Sequence, residues 1–564
     1  MRHTHQSNGK TDPVDHVEAS DNGELPKAID KALAEGEAVQ MRSELDNLPI
    51  LKALRIYWRI ALICMMAAFS AALEGYQLAL ANAIVSNKGF IRQMSNGGTK
   101  LNPTHVAVWG GMLSTGQFVG VGLLQIVIDK IGRRFAMHIT WLSLAVSVAL
   151  ESAATNWLYW LFARLIGGAG LGMMQATYPV YISENAPTQI RGFLTTSYML
   201  WYVCSQIFAP LALRQLAFTD PYNFQVPIRT QWGMLGGMLL INLFCLPESP
   251  WWLVQRGMFD KAEKVLAKTH KGVPGYDVKN ELSIIIATVE HKRESTAEDK
   301  SQYREIFRGI HLWRLFICFW PKAMQQLAGQ SVTKNYGTYF FQLAGNDDPF
   351  TVTVVLAVCQ LLGVLTTTLM SDRFGRRWLT IGLFGAGAIS MLAIGILGSF
   401  DYQSKQLGNV LVFWGCVSNY GIIGGAGISY SYVAEIPTQR LRARTASIAL
   451  MGSFVLGIAF NYTVPLMLKA WSVRTGYLYA SPSAALIMLI QNVTDLTSFG
   501  AAGVISCVVG FFVLPEIACR TPAEIDEMFE DKIAPRKFRK HVTQVQVFLE
   551  EKGPKEHMPP EDKA

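Results

Sequence analysis

The stretch DKIGRR at residues 129–134 returns later in the chain as DRFGRR at residues 372–377. The two copies lie nearly half the chain length apart, and each is a short charged turn between two long apolar runs. About 20 apolar residues are enough to cross a bilayer, so each turn is predicted to join two membrane helices. Its glycine supplies a positive φ, its aspartate can cap the next helix, and its arginines mark this side of the membrane as cytoplasmic. A soluble helical hairpin with a basic loop is the alternative, which the length of the apolar flanks disfavours.

The repetition extends beyond these two turns. SENAPTQIR at residues 183–191 is answered by AEIPTQRLR at residues 434–442, at nearly the same spacing. LPE ends each half of the chain, at residues 246–248 and again at residues 514–516. Repeats on this scale with apolar runs between them are typical of transporters, whose solute site lies between two halves. The repeats therefore predict transport before any family is considered.

The composition is that of an integral membrane protein, because half of the 564 residues are hydrophobic and only 16% are charged. The net charge of +8 comes from basic residues in the turns, the central loop and the C-terminal part, which is typical of membrane topology and not of nucleic-acid binding. The eight cysteines have no metal-site or disulfide spacing. No nucleophile–base set or phosphate loop indicates an enzyme. We therefore expect a bilayer and a small solute as partners, no metal or cofactor, and function as a monomer.

We predict an all-α membrane protein with twelve transmembrane helices in two pseudo-symmetric six-helix halves. The predicted spans are residues 57–83, 105–128, 135–154, 157–182, 192–213, 228–246, 312–343, 351–371, 378–400, 408–434, 444–468 and 496–514. The seventh of them is predicted to be broken by Gly329 and Gly337. The predicted domains are a disordered cytoplasmic tail (1–52), the first half (53–246), a cytoplasmic linker (247–311) with short amphipathic helices such as residues 259–269, the second half (312–514) and a cytoplasmic tail (515–564). An even number of spans with basic turns places both termini in the cytoplasm, and we expect the plasma membrane. Asn492 is a candidate glycosylation site in the last external loop.

These turns resemble those of the major facilitator superfamily, and further segments resemble its sugar-porter branch. The segments are RLIGGAGLG (164–172), PVY (179–181), SE (183–184), PTQIRG (187–192), PESPWWL (247–253), QQLAG (325–329), PE (515–516) and RT (520–521). The double Trp at residues 251–252, the EGY at 74–76 and the tail RTPAEIDEMF at 520–529 are most similar to fungal maltose and general α-glucoside permeases. The resemblance covers about residues 57–530. It implies the major facilitator fold and sugar transport by alternating access.

A neutral sugar needs a site made of amides, hydroxyls and aromatic faces. Gln325 and Gln326, in the seventh span, offer both donors and acceptors at mid-membrane and are predicted to bind the sugar. Hydrogen bonds to neighbouring helices are the alternative role for such amides. The resemblance implies polar sugar contacts at Ser331 and Gln360 and an aromatic contact at Tyr430. These five residues are the predicted solute site.

Charged groups at the inner ends of the helices are predicted to form a cytoplasmic gate. The resemblance implies that such groups pair across the two halves while the inner side is closed. The residues are Asp129, Arg133, Arg134, Arg164, Glu184, Arg191, Asp372, Arg376, Arg377, Glu435 and Arg442. The alternative is that they are topological charges in headgroup water. Single ion pairs near water are weak, so only a network that forms in one state can bias the equilibrium.

The residues expected for proton coupling are altered in this chain. Proton-coupled members of the resembling family carry Asp after Gly-Tyr in the first span, where this chain has Gln77. Gln117 stands where α-glucoside permeases often have an acid, and Leu450 stands at a position that is usually basic. Glu74 and Lys334 remain as intramembrane charges, so Glu74 is either a proton carrier or a fixed partner of Lys334.

Three functions stay open at this point. The first is a transporter of α-glucosides such as maltose or related sugars, working as a proton symporter or as a facilitator. The second is a sugar sensor with the same fold and little or no transport. The third is a transporter of another polyol or of a quinate-like solute.

Overall fold

The computed structural model describes residues 50–98, 100–273, 276–297, 302–335, 337–338, 341, 348–397, 405–438, 441–471, 502–517, 522–538 and 541. Within these residues the regular structure is entirely helical. Most of the predicted N-terminal tail, the end of the C-terminal tail and most of the 469–495 loop, with its candidate site Asn492, lie outside the described residues.

The first half consists of six membrane crossings, three of which are interrupted or change helix type. The first crossing follows α1 (Ile50–Ile56) and comprises α2 (Trp58–Phe69), α3 (Ala71–Ala83) and a 3-10 turn (Ile84–Ser86). The short α4 (Lys88–Met94) precedes three long helices, α5 (Pro103–Ile131), α6 (Arg133–Ala153) and α7 (Trp157–Asn185). The fifth crossing comprises α8 (Thr188–Ser205) and α9 (Phe208–Thr219), and the sixth comprises α10 (Gln225–Leu240) and a π-helical turn (Ile241–Cys245).

The linker forms a small helical unit of its own. Its helices are α11 (Pro250–Gln255), α12 (Phe259–Thr269), α13 (Val278–Ala297) and α14 (Gln302–Ile306). Leu253, Leu266 and Ile285 belong to a buried apolar cluster that joins the first three of these helices. The amphipathic helix predicted at residues 259–269 is present with the same bounds.

The second half repeats the layout of the first. Its helices are α15 (Gly309–Leu327), a π-helical turn (Ser331–Asn335), α16 (Pro349–Phe374), α17 (Arg376–Leu397), α18 (Lys405–Glu435), α19 (Arg442–Trp471) and α20 (Ala502–Val513). The tail adds α21 (Pro522–Glu530) and a 3-10 turn (Pro535–Lys537). The seventh crossing is broken after α15, at Gly329, as the sequence predicts.

Each of the twelve predicted spans coincides with helix in the described residues. Seven helical stretches there are long and apolar enough to cross a membrane: Trp58–Ser86, Pro103–Leu124, Arg133–Ala153, Pro349–Met370, Arg376–Leu397, Gly408–Val433 and Arg444–Leu468. Parts of the seventh and twelfth predicted spans lie outside the described residues. The domain boundaries drawn from the sequence stay predictions.

Close helix packing brings the cavity-lining helices together. α5 and α7 approach backbone to backbone at Gly116 and Gly120 on α5 and at Gly168 and Gly172 on α7. A methyl group at any of the four would collide with a backbone carbonyl oxygen of the facing helix, so small residues are required at this interface. The two halves meet where α5 packs on α19 and where α9 packs on α16.

Candidate functional site

A cavity lies between the two halves, and the space inside it, including its opening to solvent, is about 1380 Å³. Its wall includes three residues of the predicted solute site, Gln325, Gln326 and Tyr430. Both predicted coupling residues, Glu74 and Lys334, line the same cavity. A concave space with a few converging polar groups is the usual form of a small-molecule site. This cavity is therefore the candidate solute site.

The other two residues of the predicted solute site are not in the cavity wall. Ser331 donates a hydrogen bond to Asn461 Oδ1 at 2.9 Å, and Asn461 Nδ2 donates to Ser114 Oγ in the first half at 2.8 Å. Gln360 donates to Asn419 Oδ1 at 3.0 Å and borders a smaller pocket that shares Asn82, Gln206 and Lys334 with the cavity wall. Ser331 thus positions Asn461, which lines the cavity.

The amides of the seventh crossing face the cavity with hydrogen-bonding capacity to spare. Gln325 and Gln326 both line the cavity. The side-chain amide oxygens of Gln326 and Gln330 are buried and have no hydrogen-bond partner in the described residues. Buried polar groups are normally satisfied, so these acceptors suit a bound solute or water.

Glu74 and Lys334 are each held by neutral neighbours. Gln175 Nε2 and Tyr198 OH each donate a 2.6 Å hydrogen bond to the Glu74 carboxylate, one to each oxygen. Lys334 Nζ donates to Tyr202 OH at 2.9 Å. The described residues contain no ion pair within 4.0 Å between Glu74 and Lys334. The structure thus brings the two charges into one cavity without making them direct partners.

Arg164 does not lie with the predicted gate. It is near the start of α7, about 30 Å along that helix from Glu184 at its other end. Its Nη1 lies 3.5 Å from Glu151 Oε1, and its side chain reaches the cavity wall. Gln77 Nε2 and Gln231 Nε2 donate to the same Glu151 carboxylate at 3.5 and 3.0 Å. Gln77, which stands where an aspartate was expected, is therefore hydrogen-bonded to a carboxylate from another helix.

The sequence analysis missed two charged residues of this region, Glu151 and Lys322. Lys322 lies on α15, one turn before the paired glutamines, and its ammonium is 3.1 Å from the centre of the Tyr430 ring. Both lysine and glutamate are rare inside membrane spans, and that rarity is the signal that could have identified them.

The turn at residues 129–134 is closed by a carboxylate that follows the sixth crossing. Gly132 has a φ of 93°, as predicted for the turn. Glu248 accepts hydrogen bonds from the backbone N–H of Arg133 at 2.9 Å and of Arg134 at 3.2 Å, so Glu248 occupies the capping role predicted for the aspartate of the turn. Burial raises the pKa of Glu248, and these N–H donors act in the opposite direction. The Arg133 guanidinium forms an ion pair with Glu184 at 2.9 Å.

The second turn repeats this arrangement. Gly375 has a φ of 82°, and Glu516 accepts hydrogen bonds from the backbone N–H of Arg376 at 2.8 Å and of Arg377 at 3.2 Å. The Arg376 guanidinium forms an ion pair with Glu435. Both glutamates of the predicted gate are thus paired with an arginine of their own half, where the sequence analysis expected pairs across the halves.

The remaining gate residues fall into two groups. Arg134 and Arg377 donate to backbone carbonyls of the sixth and twelfth crossings, Leu243 at 2.7 Å and Phe511 at 2.6 Å. Arg191 Nε donates to Ala186 O at 3.3 Å. The side chains of Asp129, Asp372 and Arg442 lie outside the described part of the chain.

Comparison with known proteins decides the family. The family model described as "Sugar (and other) transporter" matches residues 63–529, most of the chain. The chain belongs to this family. Hexose transporter 2 of Kluyveromyces lactis is 26% identical over 512 residues, which are 85% of this chain and 84% of that protein. The alpha-glucosides permease MPH3 of Saccharomyces cerevisiae is 26% identical over 574 aligned positions, covering 97% of this chain and 91% of the permease.

Solved sugar transporters have the same fold. The proton:xylose symporter XylE bound to 6-bromo-6-deoxy-D-glucose has a TM-score of 0.64 at 20% identity, covering 84% of this chain and 99% of its own. The inward-open XylE of E. coli has a TM-score of 0.62 at 19% identity, covering 83% and 99%. The prediction of an all-α, twelve-helix membrane protein with the major facilitator fold is confirmed. The prediction of a sugar-porter family transporter and not an enzyme is also confirmed.

Proposed function

We propose that this protein carries a sugar across the membrane by alternating access, with α-glucosides such as maltose as the first class of solute to test. The observation that carries the proposal is the cavity between the halves, with its unpaired acceptors on Gln326 and Gln330 and the ring of Tyr430. Hydroxyl groups donate to amide oxygens, and an aromatic face packs on the apolar face of a pyranose ring. The similarity to an alpha-glucosides permease over nearly the whole chain supports the α-glucoside class.

The test is solute uptake into cells that lack their own sugar carriers and express this chain. Radiolabelled maltose, glucose and xylose are offered at two external pH values, and the amount of protein at the surface is measured in parallel. We expect saturable uptake of at least one solute. Binding without any flux into proteoliposomes would favour the sugar sensor, and neither binding nor flux would reject both functions.

We propose further that the protein lies in the plasma membrane with the linker and both termini in the cytoplasm. The arginine-rich turns at residues 129–134 and 372–377 support this orientation. In a background without the native cysteines, Lys100→Cys should react with an impermeant maleimide on intact cells, and Lys268→Cys on α12 should react only after the membrane is permeabilised. Both positions are exposed. Labelling of Lys268→Cys from outside would reverse the topology.

Gln326 is expected to bind the solute directly. Gln326→Ala should weaken solute affinity about tenfold, because a lost hydrogen bond to a ligand costs roughly 1–2 kcal/mol. The measurement is the concentration dependence of uptake, normalised to surface protein. Gln215→Ala, at an exposed position on α9, is the matched control and should leave affinity unchanged. Equal affinities for Gln326→Ala and the wild type would assign this amide to helix packing.

We propose that transport is weakly coupled or uncoupled to protons. Gln77 donates a hydrogen bond to Glu151. Gln117 and Leu450 line the cavity, and neither side chain can take up or release a proton. Uptake should therefore be insensitive to a protonophore, and adding the solute should not make the medium alkaline. Alkalinisation that disappears in Glu74→Gln would contradict this prediction and identify Glu74 as the proton carrier.

A further inference from the structure

Lys322 brings a positive charge into the cavity wall without a carboxylate partner. Its side chain is 4% exposed, and the ammonium lies over the Tyr430 ring. In the described residues no carboxylate lies within 4.0 Å of its Nζ. A charge taken out of water is stable only when an opposite charge or several hydrogen bonds replace the water, and an aromatic face does so only in part.

The other charges of the cavity wall leave one positive charge uncompensated. The charged residues in the wall are Glu74, Arg164, Lys322 and Lys334. Arg164 forms an ion pair with Glu151, which is not among the residues that line the cavity. Among the described residues of the wall, Glu74 is then the one carboxylate for two lysines. Glu74, Lys322 and Lys334 line the same cavity, so the three ionisable groups belong to one site.

Two side-chain amides follow Lys322 on the same crossing. Their oxygens, Gln326 Oε1 and Gln330 Oε1, are buried without hydrogen-bond partners in the described residues. Both residues line the cavity wall, and a side-chain amide can offer a solute either its oxygen or its NH2 group. Hydroxyl groups of a solute can satisfy such amides, and an anionic group of the same solute can satisfy the ammonium.

We propose that the solute carries one carboxylate in addition to its hydroxyls, so that it is a sugar acid or a related hydroxy acid. The carboxylate binds Lys322, and the hydroxyls bind the amides of Gln326 and Gln330. This inference rests on the proposed transport function and narrows its solute class. An α-glucoside whose second unit is an acid, such as maltobionate, fits both, and quinate-like solutes belong to the same class.

The charge balance favours a monoanion. One carboxylate neutralises the single uncompensated lysine, whereas a phosphate ester with nearly two charges would leave the loaded cavity negative. Tighter binding of a sugar phosphate than of a sugar acid would therefore contradict the proposal.

The experiment uses the full-length protein in proteoliposomes and two pairs of solutes, each an acid and its neutral counterpart. Glucuronate and glucose differ at C6 and keep the same ring, whereas the oxidation that gives maltobionate also opens the reducing ring of maltose. Maltobionate is compared with maltose, and glucuronate with glucose, by binding and by uptake of the labelled compounds. The wild type should bind the acid of at least one pair about tenfold more tightly than its neutral counterpart. Lys322→Gln should remove that preference, because it should weaken binding of the acid about tenfold more than binding of its neutral counterpart. Lys322→Arg keeps the charge and should retain the preference.

Lys268→Gln, which removes an exposed lysine in the linker, is the matched control and should behave as the wild type. Equal affinity for acid and neutral members, tighter binding of glucose 6-phosphate than of glucuronate, or equal losses for both members in Lys322→Gln would each overturn the inference while leaving the transport function standing. A wild type that binds and transports none of these solutes would reject the inference and the proposed function together. If Lys322→Gln does not fold, the wild-type preference within each pair still decides.

Discussion

Replacing Arg164 with leucine should remove most of the protein from the cell surface. Arg164 and Glu151 are 4% and 1% exposed, and their ion pair lies inside the membrane-spanning part of the chain. Removing one partner leaves the other as a buried, uncompensated charge, which typically costs 3–5 kcal/mol. A loss of about that size is comparable with the whole stability of many domains. Glu151→Leu should have an effect of the same order.

The double variant Arg164→Leu with Glu151→Leu should recover much of the lost stability, because replacing both charges by apolar groups removes the desolvation cost on both sides. Thermal unfolding of the detergent-solubilised protein and the fraction at the surface are the measurements. Arg214→Leu is the control, because its ion pair with Asp348 is 3.3 Å long but its side chains are about 40% exposed, so its loss should cost under about 1 kcal/mol. Single variants as stable as the wild type, or a double variant no more stable than either single variant, would contradict the view that Arg164 and Glu151 form a buried ion pair that stabilises the protein.

The second large effect is expected at the turns of residues 129–134 and 372–377. Arg376→Gln should lower the maximal rate of uptake by about tenfold or more without changing solute affinity. The variant loses the ion pair between Arg376 and Glu435, whose side chains are only 19% and 32% exposed. Because this pair is partly shielded from water, it is expected to be stronger than a surface pair, and hydrogen bonds to charged groups contribute about 1.5–3 kcal/mol. The backbone cap by Glu516 survives, so the turn itself should still form. In the proposed alternating-access cycle these helix ends move as the side of the protein that carries the turns opens and closes, so we expect the ion pair to bias the states of the cycle and not the binding step.

Arg133→Gln tests the same idea in the other half, where Arg133 pairs with Glu184 and Glu248 caps the turn. Because the two turns have the same construction, both variants should lower the rate and leave the KM unchanged. The measurement is uptake against solute concentration, normalised to surface protein, with Lys268→Gln in the linker as the control. Normal rates in both arginine variants would reduce these residues to markers of topology. A raised KM would connect the turns to the solute site instead.

The sequence by itself determined the helices and their order. A helix needs no distant partner for its backbone hydrogen bonds, and a bilayer requires about 20 apolar residues per crossing, so both properties are visible in a local window. Gly132 and Gly375 lie in turns with positive φ for the same local reason. The interruption at Gly329 and the amphipathic helix at residues 259–269 also agree with the prediction. Repetition of these local signals was enough to predict two halves and a cavity between them.

Only the tertiary structure decided which charged groups meet. Glu248 and Glu516 cap turns that lie more than a hundred residues earlier in the chain, while the aspartate next to each turn was the local expectation. Glu151 reaches Arg164 because α6 and α7 pack together, and Lys322 lies over Tyr430 because α15 packs against α18. Hydropathy does not distinguish a lipid-facing side of a membrane helix from a protein-facing side, since both are largely apolar. The rotation of each helix, and with it the partner of every intramembrane charge, depends on packing between segments that are distant in sequence.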